Sequence, residues 1–265
     1  MSKFRTTSIS DPKFESDNLR FITLKTPNLK GRGDICVFVP DGSTAKDLPI
    51  VILLHGVYGS CWAWSQRAGA HRTTQRMIDE GKIKPMILAM PSDGLWGDGS
   101  GYLPHNSMNF EKWIAEDVPN AVIELVPQAS DKSPKFISGL SMGGFGALRI
   151  GSKFPTKFKG ISGHSSITSL KQMILFVEEP IENYNQTSET DEDVFLTMEK
   201  NREYLPSIRF DCGTDDLLIE HNRKLHQQLT ESNIKHQYHE FNGAHEWSYW
   251  EEHLEETLLF FDELI

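Results

Sequence analysis

A chain of 265 residues, 38% hydrophobic and 24% charged, is long enough for one large α/β domain with a substantial core. Its formal charge of −10 argues against nucleic acid or an anionic membrane surface as the main partner, since both demand clustered Lys and Arg. No segment approaches the roughly 20 apolar residues needed to cross a bilayer, and the first residues lack the apolar run of a signal peptide. Three cysteines, Cys36, Cys61 and Cys212, are odd in number, far apart and without metal-ligand spacing. They read as reduced thiols in a cytoplasmic protein that carries no metal centre.

Residues 19–25 and 34–40 read as β strands, and the intervening Asn-Leu-Lys-Gly-Arg-Gly has the turn residues of a hairpin. From Pro49 the pattern changes. Residues 50–54 are a short apolar run rich in β-branched side chains, as expected of a strand buried on both faces. Residues 86–90, 135–138, 160–162 and 208–212 are similar runs, and 236–241 is expected to be the last strand. Segments with helical spacing lie between them: 61–80, with Gly69 inside it, 110–126, 142–154, 217–231 and 246–265. In 110–126 the residues Phe110, Trp113, Ile114, Val118, Val122 and Leu125 share one apolar face. Pro119 is expected to bend or split that helix. Strand and helix in alternation predict a single α/β domain over 1–265, built on a mainly parallel sheet with antiparallel strands at one edge. Residues 166–206 fit the rhythm least well and read either as a cap or lid-like insertion or as a plain surface excursion.

Gly-Leu-Ser141-Met-Gly joins the apolar run before it to the helical segment after it. Gly-x-Ser-x-Gly is informative in this strand–turn–helix setting, where the serine adopts a strained conformation and its hydroxyl is lifted above the sheet. The helix N-terminus behind it stabilises negative charge developing nearby. An idle serine in a glycine-rich turn is the bland alternative.

Nucleophilic chemistry at Ser141 needs donors for an oxyanion, a base and an acid. The strand 50–54 runs directly into His55-Gly-Val57-Tyr58-Gly, which assigns the oxyanion hole to the backbone N–H groups of Val57 and Met142. His55 precedes any acid in the chain, so it reads as a residue that orients the loop. After the strand at 208–212 three aspartates compete: Asp211 could tie down the loop, Asp215 could cap the next helix, and Asp216 is favoured as the acid. Of ten histidines, His245 alone lies in a loop after the last strand and is read as the base; His164, which precedes the acid, is its rival.

These motifs resemble the Putative esterase family of α/β-hydrolases, which includes esterase D (S-formylglutathione hydrolase), tributyrin esterases, feruloyl and acetylxylan esterases, and mycolyltransferases. The resemblance runs roughly from Asp34 to the C-terminus. It is carried by Gly-Leu-Ser141-Met-Gly-Gly-Phe-Gly-Ala, Asp-Cys-Gly-Thr-Asp-Asp216 and Gly-Ala-His245-Glu-Trp-Ser-Tyr-Trp. It implies an α/β-hydrolase fold and a triad of Ser141, Asp216 and His245. The His55-Gly-Val-Tyr-Gly loop, with Trp62 and Trp64, is more similar to the tributyrin-esterase branch, which weighs against a glutathione thioester substrate.

Tyr58, Trp62 and Trp96 are candidates to line an acyl or alcohol pocket, or else to pack the loops. The glycines of 93–102 make no dinucleotide or phosphate site, because the strand–turn–helix context and a P-loop lysine are absent, so no cofactor is expected. The expected activity is hydrolysis of short acyl esters, with a small-molecule ester as partner and the homo-oligomeric state left open. S-formylglutathione hydrolysis and carbohydrate acetyl or feruloyl ester hydrolysis are the enzymatic alternatives. A binding protein on a retired hydrolase fold is the non-enzymatic one.

Overall fold

The computed structural model describes residues 2–42 and 45–265. Three strands open the chain, β1 (Thr7–Ile9), β2 (Leu19–Thr26) and β3 (Gly31–Phe38), followed by β4 (Ile50–Leu54). Helices α1 (Ala63–Arg67) and α2 (Ala70–Asp79) lead to β5 (Ile87–Pro91). A small hairpin of β6 (Pro104–His105) and β7 (Met108–Asn109) precedes α3 (Phe110–Lys112) and α4 (Val118–Leu125). Then come β8 (Lys135–Leu140), α5 (Met142–Lys153), β9 (Gly160–His164), α6 (Val194–Lys200), β10 (Ser207–Gly213), α7 (Ile219–Glu231), β11 (Gln237–Phe241) and α8 (Trp247–Asp262).

Nine strands form one sheet in the order β1-β2-β3-β5-β4-β8-β9-β10-β11. The pairs from β5 to β11 are parallel, and the N-terminal strands join antiparallel through β3 against β5. Antiparallel strands need only a hairpin, and Thr26 opposite Gly31 closes the one between β2 and β3. This is an α/β-hydrolase-like sheet. The three-residue edge strand β1, too short and polar to stand out as a pattern, is an addition to the sequence expectation.

The central strands are apolar on both faces because helices cover both. Ile50, Ile52 and Leu54 of β4 pack with Trp113, Val118 and Phe145, while Val51 and Leu53 pack with Trp64, Met77, Leu254 and Leu258. Two helical runs are interrupted. The run 61–80 breaks at Gly69, whose φ of 57° lies outside the helical region and separates α1 from α2. The run 110–125 is interrupted just before Pro119, which stands in the first turn of α4. Residues Trp113–Asp117 form a π-helical turn between α3 and α4, and Val118 N–H donates to Trp113 O five residues back. At that first-turn position the missing N–H of proline removes no bond within α4.

Segment 166–206 contains three short 3₁₀ turns and α6. It is fastened at its base by Val194 N–H to Thr168 O (3.0 Å) and by a bridge between Ser169 and Asp193.

Beneath the strand ends lies a buried polar cluster. Asp211 accepts from Arg209 Nη1 (2.5 Å), from His164 Nδ1 (2.9 Å) and from the Tyr249 hydroxyl (2.9 Å). Burial alone would push its carboxyl up, but His164 and Arg209 outweigh that and hold it well below the usual carboxylate range. Its stabilising contribution is therefore complete above an ordinary aspartate pKa of about 4 and is lost as the pH falls toward the depressed folded value. Asp211→Asn leaves Arg209 buried without its counter-charge and is expected to cost about 3–5 kcal/mol at pH 7. Urea denaturation should show that gap between native and variant narrowing as the pH is lowered from 7 to 3.

Candidate active site

Ser141 stands between β8 and α5 with φ 54° and ψ −118°, a conformation that side-chain-bearing residues seldom adopt. Three backbone bonds hold it there. Ser141 N–H donates to His164 O at 2.9 Å, and Ser141 O accepts from Phe145 (3.1 Å) and Ile167 (3.2 Å). The turn is tight because α5 passes directly over β4. A Cβ at Gly143 would stand 2.3 Å from Leu54 O and 2.6 Å from His55 O. Only glycine allows that approach.

The other side chains come from loops at the same end of the sheet. Asp216 follows β10 and His245 follows β11, and the two loops are stitched by Thr214 N–H to Phe241 O (2.8 Å) and Asp215 N–H to Gly243 O (2.9 Å). His245 Nδ1 donates to Asp216 Oδ2 (2.9 Å) and lies 3.1 Å from Oδ1, while Nε2 is 3.0 Å from Ser141 Oγ. Donation from Nδ1 leaves Nε2 as the acceptor for the serine proton. Leu218 N–H donates to Asp216 Oδ1 at 2.8 Å. Burial raises the Asp216 carboxyl, but the bonds from His245 and Leu218 prevail and keep it below its ordinary value. It therefore stays ionised at neutral pH. The imidazole stacks on the ring of Phe176 (centroids 5.3 Å apart) and meets Trp250 nearly at right angles (5.0 Å).

Val57 and Met142, the expected oxyanion donors, lie against this group. A Cβ at Gly56 would be 3.5 Å from Ser141 Cβ, and one at Gly99 would meet both Met142 Sδ (2.5 Å) and Val57 Cγ1 (3.4 Å). Among the described residues, neither Val57 N–H nor Met142 N–H donates to a backbone acceptor. His55 orients this loop, as its order in the chain suggested. Its Nδ1 donates to Gly56 O (2.6 Å) and its Nε2 accepts from Asp93 N–H (3.0 Å).

Three residues that competed for the acid and base roles are placed elsewhere, and the aromatic candidates take the following positions. Asp215 caps no helix: α7 begins at Ile219 with Leu218 before it, and Asp215 is exposed. Asp211 does not tie down the loop, because it is committed to the buried cluster, and His164 is committed there with it through Asp211 and Thr257 Oγ1 (2.9 Å). Trp96 packs the loops, edge-on to His105 (4.6 Å) and Tyr184 (5.3 Å). Tyr58 and Trp62 are exposed, 66% and 45%. Phe176 was not singled out by sequence reasoning; it lies in the segment with least pattern, and nothing local marks it. Among the described residues no group of three or more His, Cys, Asp and Glu side chains could hold a metal.

The sequence model of the family described as Putative esterase matches residues 26–261. The chain belongs to this family. An acetyl esterase of Caldicellulosiruptor saccharolyticus is 29% identical over 242 residues, covering 81% of this chain and 85% of that protein. Among solved structures, a ferulic acid esterase superposes with a TM-score of 0.79 at 21% identity, covering 98% of this chain and 99% of its own. An S-formylglutathione hydrolase from Staphylococcus aureus gives 0.77 at 18% identity, covering 91% and 97%. At those identities the superpositions show the shared α/β-hydrolase fold. Family membership makes the protein an enzyme of the serine-hydrolase and esterase class.

The close passage of α5 over β4 yields a direct test. In Gly143→Ala the added methyl meets backbone carbonyls that cannot rotate away, so a stability loss of about 1–3 kcal/mol is expected in urea denaturation.

Proposed function

We propose that the protein is a serine carboxylesterase hydrolysing short-chain acyl esters through an acyl-enzyme intermediate, within a single domain whose residues 166–206 partly cover the site. The observation that carries this reading is the continuous hydrogen-bonded line Asp216–His245–Ser141, ending at a serine held in the strained turn over a helix N-terminus. The relative named acetyl esterase supports a small acyl group.

The geometry supports the following roles. Ser141 Oγ attacks the acyl carbonyl as His245 Nε2 takes its proton, and Asp216 stabilises the resulting imidazolium through Nδ1. The carbonyl oxygen gains negative charge and turns toward the Val57 and Met142 N–H groups, each such donor being worth about 3–4 kcal/mol in the transition state. His245 then protonates the departing alcohol. In the second half a water gives its proton to the same nitrogen, attacks the acyl-serine and releases the acid. Asp216, held below its ordinary value, is ionised at neutral pH and so favours the tautomer in which Nε2 accepts.

Hydrolysis of p-nitrophenyl acetate and butyrate, with feruloyl esters and S-formylglutathione assayed alongside, tests the substrate class. Ser141→Ala is expected to lower kcat by roughly four to six orders of magnitude, and Asp216→Asn by about 10⁴, because the amide holds the imidazole in the wrong tautomer. Turnover of S-formylglutathione far above that of every oxygen ester would replace the carboxylesterase reading with a thioesterase one.

A further inference from the structure

Tyr58 occupies a backbone position that ordinarily belongs to glycine. It is the third residue of a turn closed by Gly59 N–H to Gly56 O (3.3 Å), and its φ is 56°. A left-handed residue at that place is the mark of a type II turn, where glycine or asparagine carries the conformation with least strain. An exposed tyrosine there calls for a compensating contact, and its side chain supplies one. The hydroxyl donates to Phe176 O at 3.0 Å and lies 3.3 Å from Asp98 Oδ2, while its backbone N–H donates to Asp98 O at 2.7 Å.

Asp98 is the other half of the arrangement. Its Oδ2 accepts from Glu178 N–H (2.8 Å), and its own N–H donates to Glu179 Oε1 (2.9 Å). Gly97 makes room for that carboxylate, since a Cβ there would stand 2.2 Å from Glu179 Oε1. Tyr184 completes the contact by donating to Gly99 O (2.9 Å). Three segments that share no secondary structure therefore meet at Tyr58 and Asp98. They are the loop after β4 that carries Val57, the loop after β5, and the segment that carries Phe176. Loss of water at the Tyr58 hydroxyl and the charges of Asp98, Glu178 and Glu179 push its pKa up, so it is a donor at neutral pH.

We propose that Tyr58 and Asp98 form a clasp that positions the Val57 N–H over Ser141 and, through Phe176, fixes the face on which the His245 ring rests. The two are positioning residues, acting on the oxyanion donor and on the base through their neighbours. The proposal rests on the triad reading above and adds to it a coupling between the two sides of the reacting carbonyl. Tyr58 is thereby assigned to the turn and the clasp, and its exposure is that of a strap lying across the outside of the site. Small errors in the placement of an oxyanion donor reduce the transition-state bond far more than they reduce ground-state binding.

The test is a double-mutant cycle of Tyr58→Phe and Asp98→Ala on p-nitrophenyl acetate, with active enzyme counted by fluorophosphonate titration. Each single variant is expected to lower kcat by roughly ten- to a hundred-fold with KM changed less than about twofold, and the double variant to be no worse than the poorer single. Tyr58→Gly provides a separation from mere folding. It relieves the strained φ yet removes the hydroxyl, so its melting temperature should be no lower than that of Tyr58→Phe while kcat falls as far. Additive effects, a raised KM at constant kcat, or unchanged kcat in Ser141-dependent turnover would each overturn the clasp and leave the triad reading intact. Turnover that survives Ser141→Ala would overturn both.

Discussion

Everything at the catalytic end of the molecule depends on one close approach, the first turn of α5 against the carbonyls of Leu54 and His55. That contact sets the height of the helix over the sheet. The chain must then rise from β8 into α5 within a single residue, and Ser141 absorbs the change with its positive φ. The cost is offset by packing and hydrogen bonds around it, above all the bond from Ser141 N–H to His164 O, which ties the turn to the neighbouring parallel strand. The hydroxyl is thus presented by a rigid sheet and needs no flexible loop to deliver it. The same contact places the loop after β4 beside the serine, so the proposed nucleophile and its proposed oxyanion donor are positioned by one constraint.

Two Asp–His pairs stand at adjacent strand ends, and burial separates their roles. His164 and Asp211 are fully enclosed, with Arg209 as counter-charge and Thr257 and Tyr249 filling the remaining hydrogen bonds. Every polar atom of that pair is committed, which suits it to anchoring the strands. His245 and Asp216 share the same bond length, but the imidazole keeps one nitrogen facing a serine and a partly open side. Identical chemistry anchors the fold in one place and is free to move a proton in the other.

The parts of this arrangement that were legible in the sequence are those encoded over short stretches. The strand at 50–54 is apolar at every position, and the pentapeptide around Ser141 carries its own glycines. His245 could be singled out because its loop follows the last strand. Asp216 was harder, since three aspartates within six residues differ only in where the chain turns, and that is decided by the stitching of the β10 and β11 loops. The fate of the aromatic residues was not legible at all. Trp96 and Tyr58 lie in similar glycine-rich loops, yet one packs inward on His105 and the other lies outside, because their partners come from distant parts of the chain. Pro119 marked where the α-helix is interrupted but not the form of the interruption, because a π-helical turn is an adjustment of the whole helix that a local breaker rule does not specify.

His245 and Ser141 are separated by 104 positions in the chain, and the imidazole is contributed by the last strand–helix junction of the sheet. The proposed triad is consequently assembled late, because no amino-terminal fragment ending within β11 holds both groups. A parallel sheet closed by such distant pairings has a high contact order and forms slowly compared with locally wired folds. Ester turnover would appear only when the final β-strand docks, which makes the reaction itself a clock for the completion of folding.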